Sequence, residues 1–145
     1  MKHLKTYKIF ESHDDVDTNV LRDILLEIND DGDWKTNFWK VDGQDRLYFF
    51  YNGDKNTSGY VVIIETVTED EENEFEGLKP PPVVIETIKI LIDYMNSEGF
   101  TEHRITFEEV ESEDSVIMSF DSDDVDGLAD LEVWSNNFIR IEFWK

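Results

Sequence analysis

Two stretches of helical apolar spacing, each running into strand-like segments, constrain the fold of this chain more than any other feature. Val16, Val20, Leu21, Ile24, Leu25 and Ile28 recur every three or four positions, so Val16–Asn29 predicts a helix with one apolar stripe. Asp14, Asp15 or Asp17 can cap its start, where a carboxylate also suits the helix dipole. Asn29-Asp30-Asp31-Gly32-Asp33 ends it. The same spacing returns in Val84, Ile85, Ile88, Leu91, Ile92 and Met95, giving a second helix over Val83–Ser97. Pro80-Pro81-Pro82 introduces that helix, because proline is tolerated in a first turn.

Strand-like runs follow each helix. After the first they are Trp34–Val41, Arg46–Asn52 and Tyr60–Thr68, with Asp42-Gly43 and Asn52-Gly53 as turns. After the second they are Thr101–Val110 and Ser115–Phe120, then a loop over Asp121–Asp130, then Leu131–Trp134 and Phe138–Trp144. Ser135-Asn136-Asn137 predicts a tight turn between the last two. Helices with one apolar face and strands joined by short turns imply an α+β domain, two helices packed on antiparallel sheet. Ile24-Leu25-Leu26-Glu27-Ile28 and Ile90-Leu91-Ile92-Asp93-Tyr94 align at an offset of 66, which also sets Trp34 over Phe100. Gly32 and Gly99 fall one position out of that register. This suggests internal duplication of a helix-then-three-or-four-strands unit. The expected organisation is an arm, residues 1–11, before one domain, 12–145, with halves at about 12–68 and 80–145 and an acidic linker at 69–79.

Charge divides along the same lines. The formal net charge is −22, yet residues 1–11 carry Lys2, Lys5 and Lys8 against Glu11 alone. A basic arm therefore precedes an intensely acidic body. With 10 Phe, 5 Tyr and 4 Trp, that body has too much apolar mass for a disordered acidic tail. The absence of Cys excludes disulfides, thiol catalysis and Cys-based zinc sites. No apolar run reaches 18 residues, and Met1–Phe10 lacks the apolar core of a secretory signal. Such a body repels nucleic acid and anionic lipid, so its expected partners are basic protein surfaces, without direct nucleic acid or membrane binding.

Few residues suggest chemistry. His3 and His13 lie in or beside the arm, and His103 reads as a surface strand residue. No metalloprotease helix motif, nucleophile elbow or Gly-rich phosphate loop occurs. With 35 Asp+Glu, any chosen carboxylate pair is uninformative, so no catalytic residue and no cofactor is assigned and a non-enzyme is expected. The weak metal candidate is the Asp121–Asp130 loop. Asp124, Asp126 and Gly127 fall at calcium-loop positions counted from Ser122, and Asp130 adds a further carboxylate. Ser122 stands where the first acid belongs, and Glu132 comes one place too early for the closing one, so no functional metal site is expected. The four Trp read as core. The acids expected on a partner-binding face are Glu69, Asp70, Glu71, Glu72, Glu74 and Glu76 in one loop, and Asp121, Asp123, Asp124 and Asp126 in the other.

The arm carries a resemblance. Leu4-Lys5-Thr6-Tyr7-Lys8-Ile9-Phe10-Glu11-Ser12 resembles the capsid-targeting leader of internal head proteins of large myovirus-type tailed phages. Such leaders contain a Lys-Thr-Tyr start and close on an aliphatic-x-Glu processing site. Ile9-Phe10-Glu11 matches that site, with cleavage implied between Glu11 and Ser12. The extra Lys2-His3-Leu4 departs from the pattern, and the likeness covers about 12 of 145 residues. The resemblance implies packaging in the phage head, loss of the leader, and delivery to the host; some such proteins block host nucleases. Two expectations follow: an accessory protein in virion or host cytoplasm whose acidic body occupies a basic host surface as a nucleic-acid mimic, blocking a defence nuclease, or a virion structural or assembly protein whose acidity preserves solubility.

Overall fold

A computed structural model describes residues 16–41, 59–67, 77–109, 116–134 and 136–144. The basic arm, the expected strand Arg46–Asn52, the acidic segment Glu69–Glu76 and the processing site Ile9–Ser12 lie outside the described residues. The fold is α+β: helices on one face of a five-stranded sheet whose neighbouring strands all run antiparallel.

Helix α1, Thr18–Asn29, starts where the Asp17 carboxylate accepts the Asn19 N–H at 3.0 Å. It buries Leu21, Leu25 and Ile28, the stripe its spacing demanded. Helix α2, Pro82–Ser97, has proline at its first position and buries Val84, Ile85, Ile88, Leu91, Ile92 and Met95. Both helices run into a glycine at positive φ, Gly32 at 84° and Gly99 at 96°, the left-handed geometry that reverses a chain past a helix end. Behind Gly99, the Phe100 N–H donates to the Met95 carbonyl at 2.9 Å and its ring enters the core.

The strands are β1 (Trp34–Val41), β2 (Gly59–Thr66), β3 (Glu102–Glu109), β4 (Val116–Phe120) and β5 (Asn137–Trp144), in sheet order β1-β2-β5-β3-β4. Alternation sends Tyr60, Val62 and Ile64, with Ile139, Ile141, Phe143, Ile105 and Phe107, toward the helices. Their alternates form a second face, where Val41 and Val61 are buried among Trp39, Ile63 and Trp144. Apolar residues on both faces explain why β2 reads as a near-continuous apolar run.

Three expectations change. Asp121–Asp130 is no loop: Ser122–Asp130 is a 3-10 helix. Val125, Leu128 and Leu131 are all buried, and a spacing of three aligns them on one side of a helix with three residues per turn. Leu131–Trp134 contributes a single bridge, Val133 to Leu78, rather than a strand. The Leu131 N–H still donates back to Leu128, and Trp134 already accepts from the Asn137 N–H, so one extended pair is all that fits between. The halves also match differently. The β1·β2 and β3·β5 ladders each pair eight residues and flank the central β2·β5 ladder. Burial aligns Leu21 with Ile88, Leu25 with Ile92 and Ile28 with Met95, an offset of 67 that also aligns Gly32 with Gly99. The offset of 66 would place Ile24, packed on the core, over Ile90, which is 55% exposed. The strand starts, Trp34 and Glu102, are 68 apart, so the correspondence drifts and does not establish a duplication.

Candidate functional site: the acidic helix layer

The helices and the sheet carry charge very differently. The apolar stripes face inward, so the polar positions of α1, α2 and the 3-10 helix form the outer side of one layer, with α2 in contact with both its neighbours. Residues 17–33, 82–98 and 121–130 hold fourteen Asp+Glu against Arg22 and Lys89. Every one of those acids except the capping Asp17 is exposed. Lys89 is already engaged: its Nζ lies 2.8 Å from Asp126 Oδ1 and 3.6 Å from Glu86 Oε1. Those carboxylates hold its pKa above the ordinary lysine value, the Asp126 hydrogen bond most of all.

Among the described residues, the second sheet face is nearly balanced. Lys35, Arg104 and Arg140 stand there with Glu65, Glu102, Glu108 and Glu142. Lys35 lies directly across from Glu65, at 3.6 Å. Glu108 and Glu142 are buried, and both turn toward Arg140, with N···O distances of 3.8 and 3.9 Å. Thr106 Oγ1 donates to Glu108 Oε2 at 2.8 Å. This arrangement clamps β3 to β5 with a cation held between two carboxylates, a structural use of buried charge.

A groove of about 220 Å³ opens between α2 and the 3-10 helix. Lys89, Ile92, Asp93 and Asn96 lie on one face of α2, spaced three, one and three residues apart, and line one wall. Asp123 and Val125 come from the 3-10 helix, and His103 from β3. His103 was expected at the surface; it is half-buried because it shares the inward parity of Ile105, and its ring lies 6.2 Å from that of Phe143. Burial pushes its pKa below the ordinary histidine value, partly opposed by the charges of Glu102 and Asp121.

Of the acids expected to bind a partner, Asp121, Asp123, Asp124 and Asp126 lie in or beside the 3-10 helix, and the Glu69–Glu76 group lies outside the described residues. Asp123 shares the groove with Asp93 of α2, and Asp126 shares Lys89 with Glu86. Asp124, Asp126 and Asp130 do not converge. Among the described residues no group of three or more Asp, Glu or His side chains could hold a metal ion. No helix among the described residues is long and apolar enough to cross a membrane. Comparison with protein-family models, with curated proteins and with solved structures gives no match.

Proposed function

We propose that this protein is a non-enzymatic, phage-type acidic accessory protein that binds a basic surface of a host protein through its helix layer, acting in the virion or the host cytoplasm. The observation that carries this reading is the one-sidedness of the charge among the described residues: fourteen acids against two cations on the helix layer, and a near balance on the second sheet face. An even acidic coat would serve solubility alone; a one-sided field steers and orients a basic partner. Duplex DNA carries one charge per ~1.7 Å of axis, so a dense row of carboxylates competes for the same basic cleft. A host defence nuclease is the partner class this mimicry suits.

The test is displacement. The protein is titrated into complexes of a fluorescent DNA duplex with purified sequence-independent nucleases. Release of duplex, weakening as salt rises, supports the reading. Failure to release duplex from any of them rejects the mimic, and leaves the structural or assembly role as the reading of the acidic surface.

A further inference from the structure

From the outer edge of β4 we infer a strand-addition site for an extended, basic segment of the partner, an inference that rests on the binding role proposed above and adds a backbone contact to it. β4 ends the sheet order, and among the described residues β3 alone pairs with it. A terminal strand turns alternate N–H and C=O groups outward, a template for one more strand. The two edges of this sheet differ in chemistry. β1 carries exposed Lys35 and Lys40, charges of the kind that discourage pairing along an edge. β4, Val116–Phe120, carries no charge, in a chain with 35 Asp+Glu. Its register is also regular where it matters: Met118, Ser119 and Phe120 follow Phe107, Thr106 and Ile105 without a break, and the irregularity lies beyond Phe107.

Side chains define the occupant. Met118 lies directly across from Phe107, so the two share the helix-side face. Phe107 is buried, whereas Met118 is 47% exposed. A strand laid against β4 brings its own side chain beside Met118, and an apolar one there removes both from water. Past Phe120 the chain enters the 3-10 helix, where Asp121, Asp123 and Asp124 are exposed. The edge is therefore continuous with the acidic layer, and Lys or Arg flanking the paired stretch of the added strand meets opposite charge. The backbone supplies affinity, and the apolar centre with basic flanks supplies preference. A second copy of this chain fits less well, because it brings another body of net charge −22 to the same edge.

The probe is a synthetic peptide with a Thr-Val-Leu-Val-Thr centre and a Lys-Lys pair at each end. It is set against the same peptide with its central amides N-methylated, which removes the backbone donors and keeps every charge. Titrations on the full chain use the native protein, Met118→Lys, which puts a charge on the edge, and Leu26→Lys, the same change of charge on α1. Met118 and Leu26 are 47% and 51% exposed, so both variants are expected to keep their fold, checked by circular dichroism. The expected result is that the parent peptide binds native at least about tenfold more tightly than Met118→Lys, with Leu26→Lys within about threefold of native. The N-methylated peptide should bind native at least about tenfold more weakly than the parent. Amide hydrogen exchange at one or more of Met118, Ser119 and Phe120 should slow with the parent peptide and not with the N-methylated one. Equal binding of the two peptides, or equal weakening by the two variants, overturns strand addition while leaving the charge-based binding role standing. Absence of binding of the parent peptide to native also overturns strand addition, and release of duplex from nucleases judges the helix-layer reading separately.

Discussion

Lys89 Nζ lies 2.8 Å from Asp126 Oδ1, and that pair ties the middle of α2 to the 3-10 helix. Both side chains are largely exposed, so the pair sets charge more than it sets stability. Lys89→Met should leave the melting temperature close to native and strengthen binding of a hexaarginine peptide, because it removes one of the layer's two cations and keeps the length of the stem. Calorimetry and peptide titration check the two halves separately. A large fall in melting temperature would show that the pair is structural.

The sheet's charge cluster should behave in the opposite way. Arg140→Ala deprives buried Glu108 and Glu142 of the cation both face, and breaking a buried ion pair typically costs about 3–5 kcal/mol. Denaturant unfolding of variant and native at neutral pH measures it. A loss under about 1 kcal/mol at neutral pH would mean that the cluster is solvated.

The 3-10 helix should be part of the core. Leu128 is fully buried, and truncating a buried Leu costs about 2–5 kcal/mol. Leu128→Ala should fall in that range by denaturant unfolding, whereas Asp124→Asn, exposed on the other side, should stay within about 0.5 kcal/mol. Equal small effects would contradict the packing.

His103 gives a pH signature. Its folded pKa is depressed by burial, so the folded state resists protonation while the unfolded state accepts it near 6.5. The associated stability is therefore present above pH 6.5 and is lost as pH falls from there through the folded pKa. His103→Gln should flatten that part of the stability–pH curve relative to native. Identical slopes in the two proteins between about pH 7 and about pH 5 would show that His103 does not sense burial.

The helices and most strands were legible because their apolar periods are long and unbroken. Leu21, Leu25 and Ile28 declare α1, and the strict alternation around Ile139, Ile141 and Phe143 declares β5. The 3-10 helix was not legible, because five aspartates in Asp121–Asp130 read as solvated loop. The only contrary sign is the three-residue spacing of Val125, Leu128 and Leu131, too short for an α-helical stripe. The groove was hidden for the same reason. Lys89, Ile92, Asp93 and Asn96 share a visible face of α2, but nothing local shows that Asp123 and His103 close against it. His103 betrays its orientation only through parity with Ile105.

The one-sidedness of the acidic layer is the central claim, and a single comparison tests it. Binding to a purified sequence-independent nuclease that the native protein displaces from duplex is followed from about 50 mM to about 200 mM salt. Three proteins are compared: native; a helix-layer variant with Asp23→Asn, Glu27→Gln, Glu86→Gln and Asp124→Asn; and an equal-charge variant off that layer with Glu65→Gln, Glu102→Gln, Glu109→Gln and Glu132→Gln. The predicted result is that only the helix-layer variant loses affinity by an order of magnitude or more and shows a flatter dependence of log K on log salt, while the other variant stays near native. Equal loss in both variants would mean that net charge alone governs the encounter, and would contradict an oriented acidic binding face.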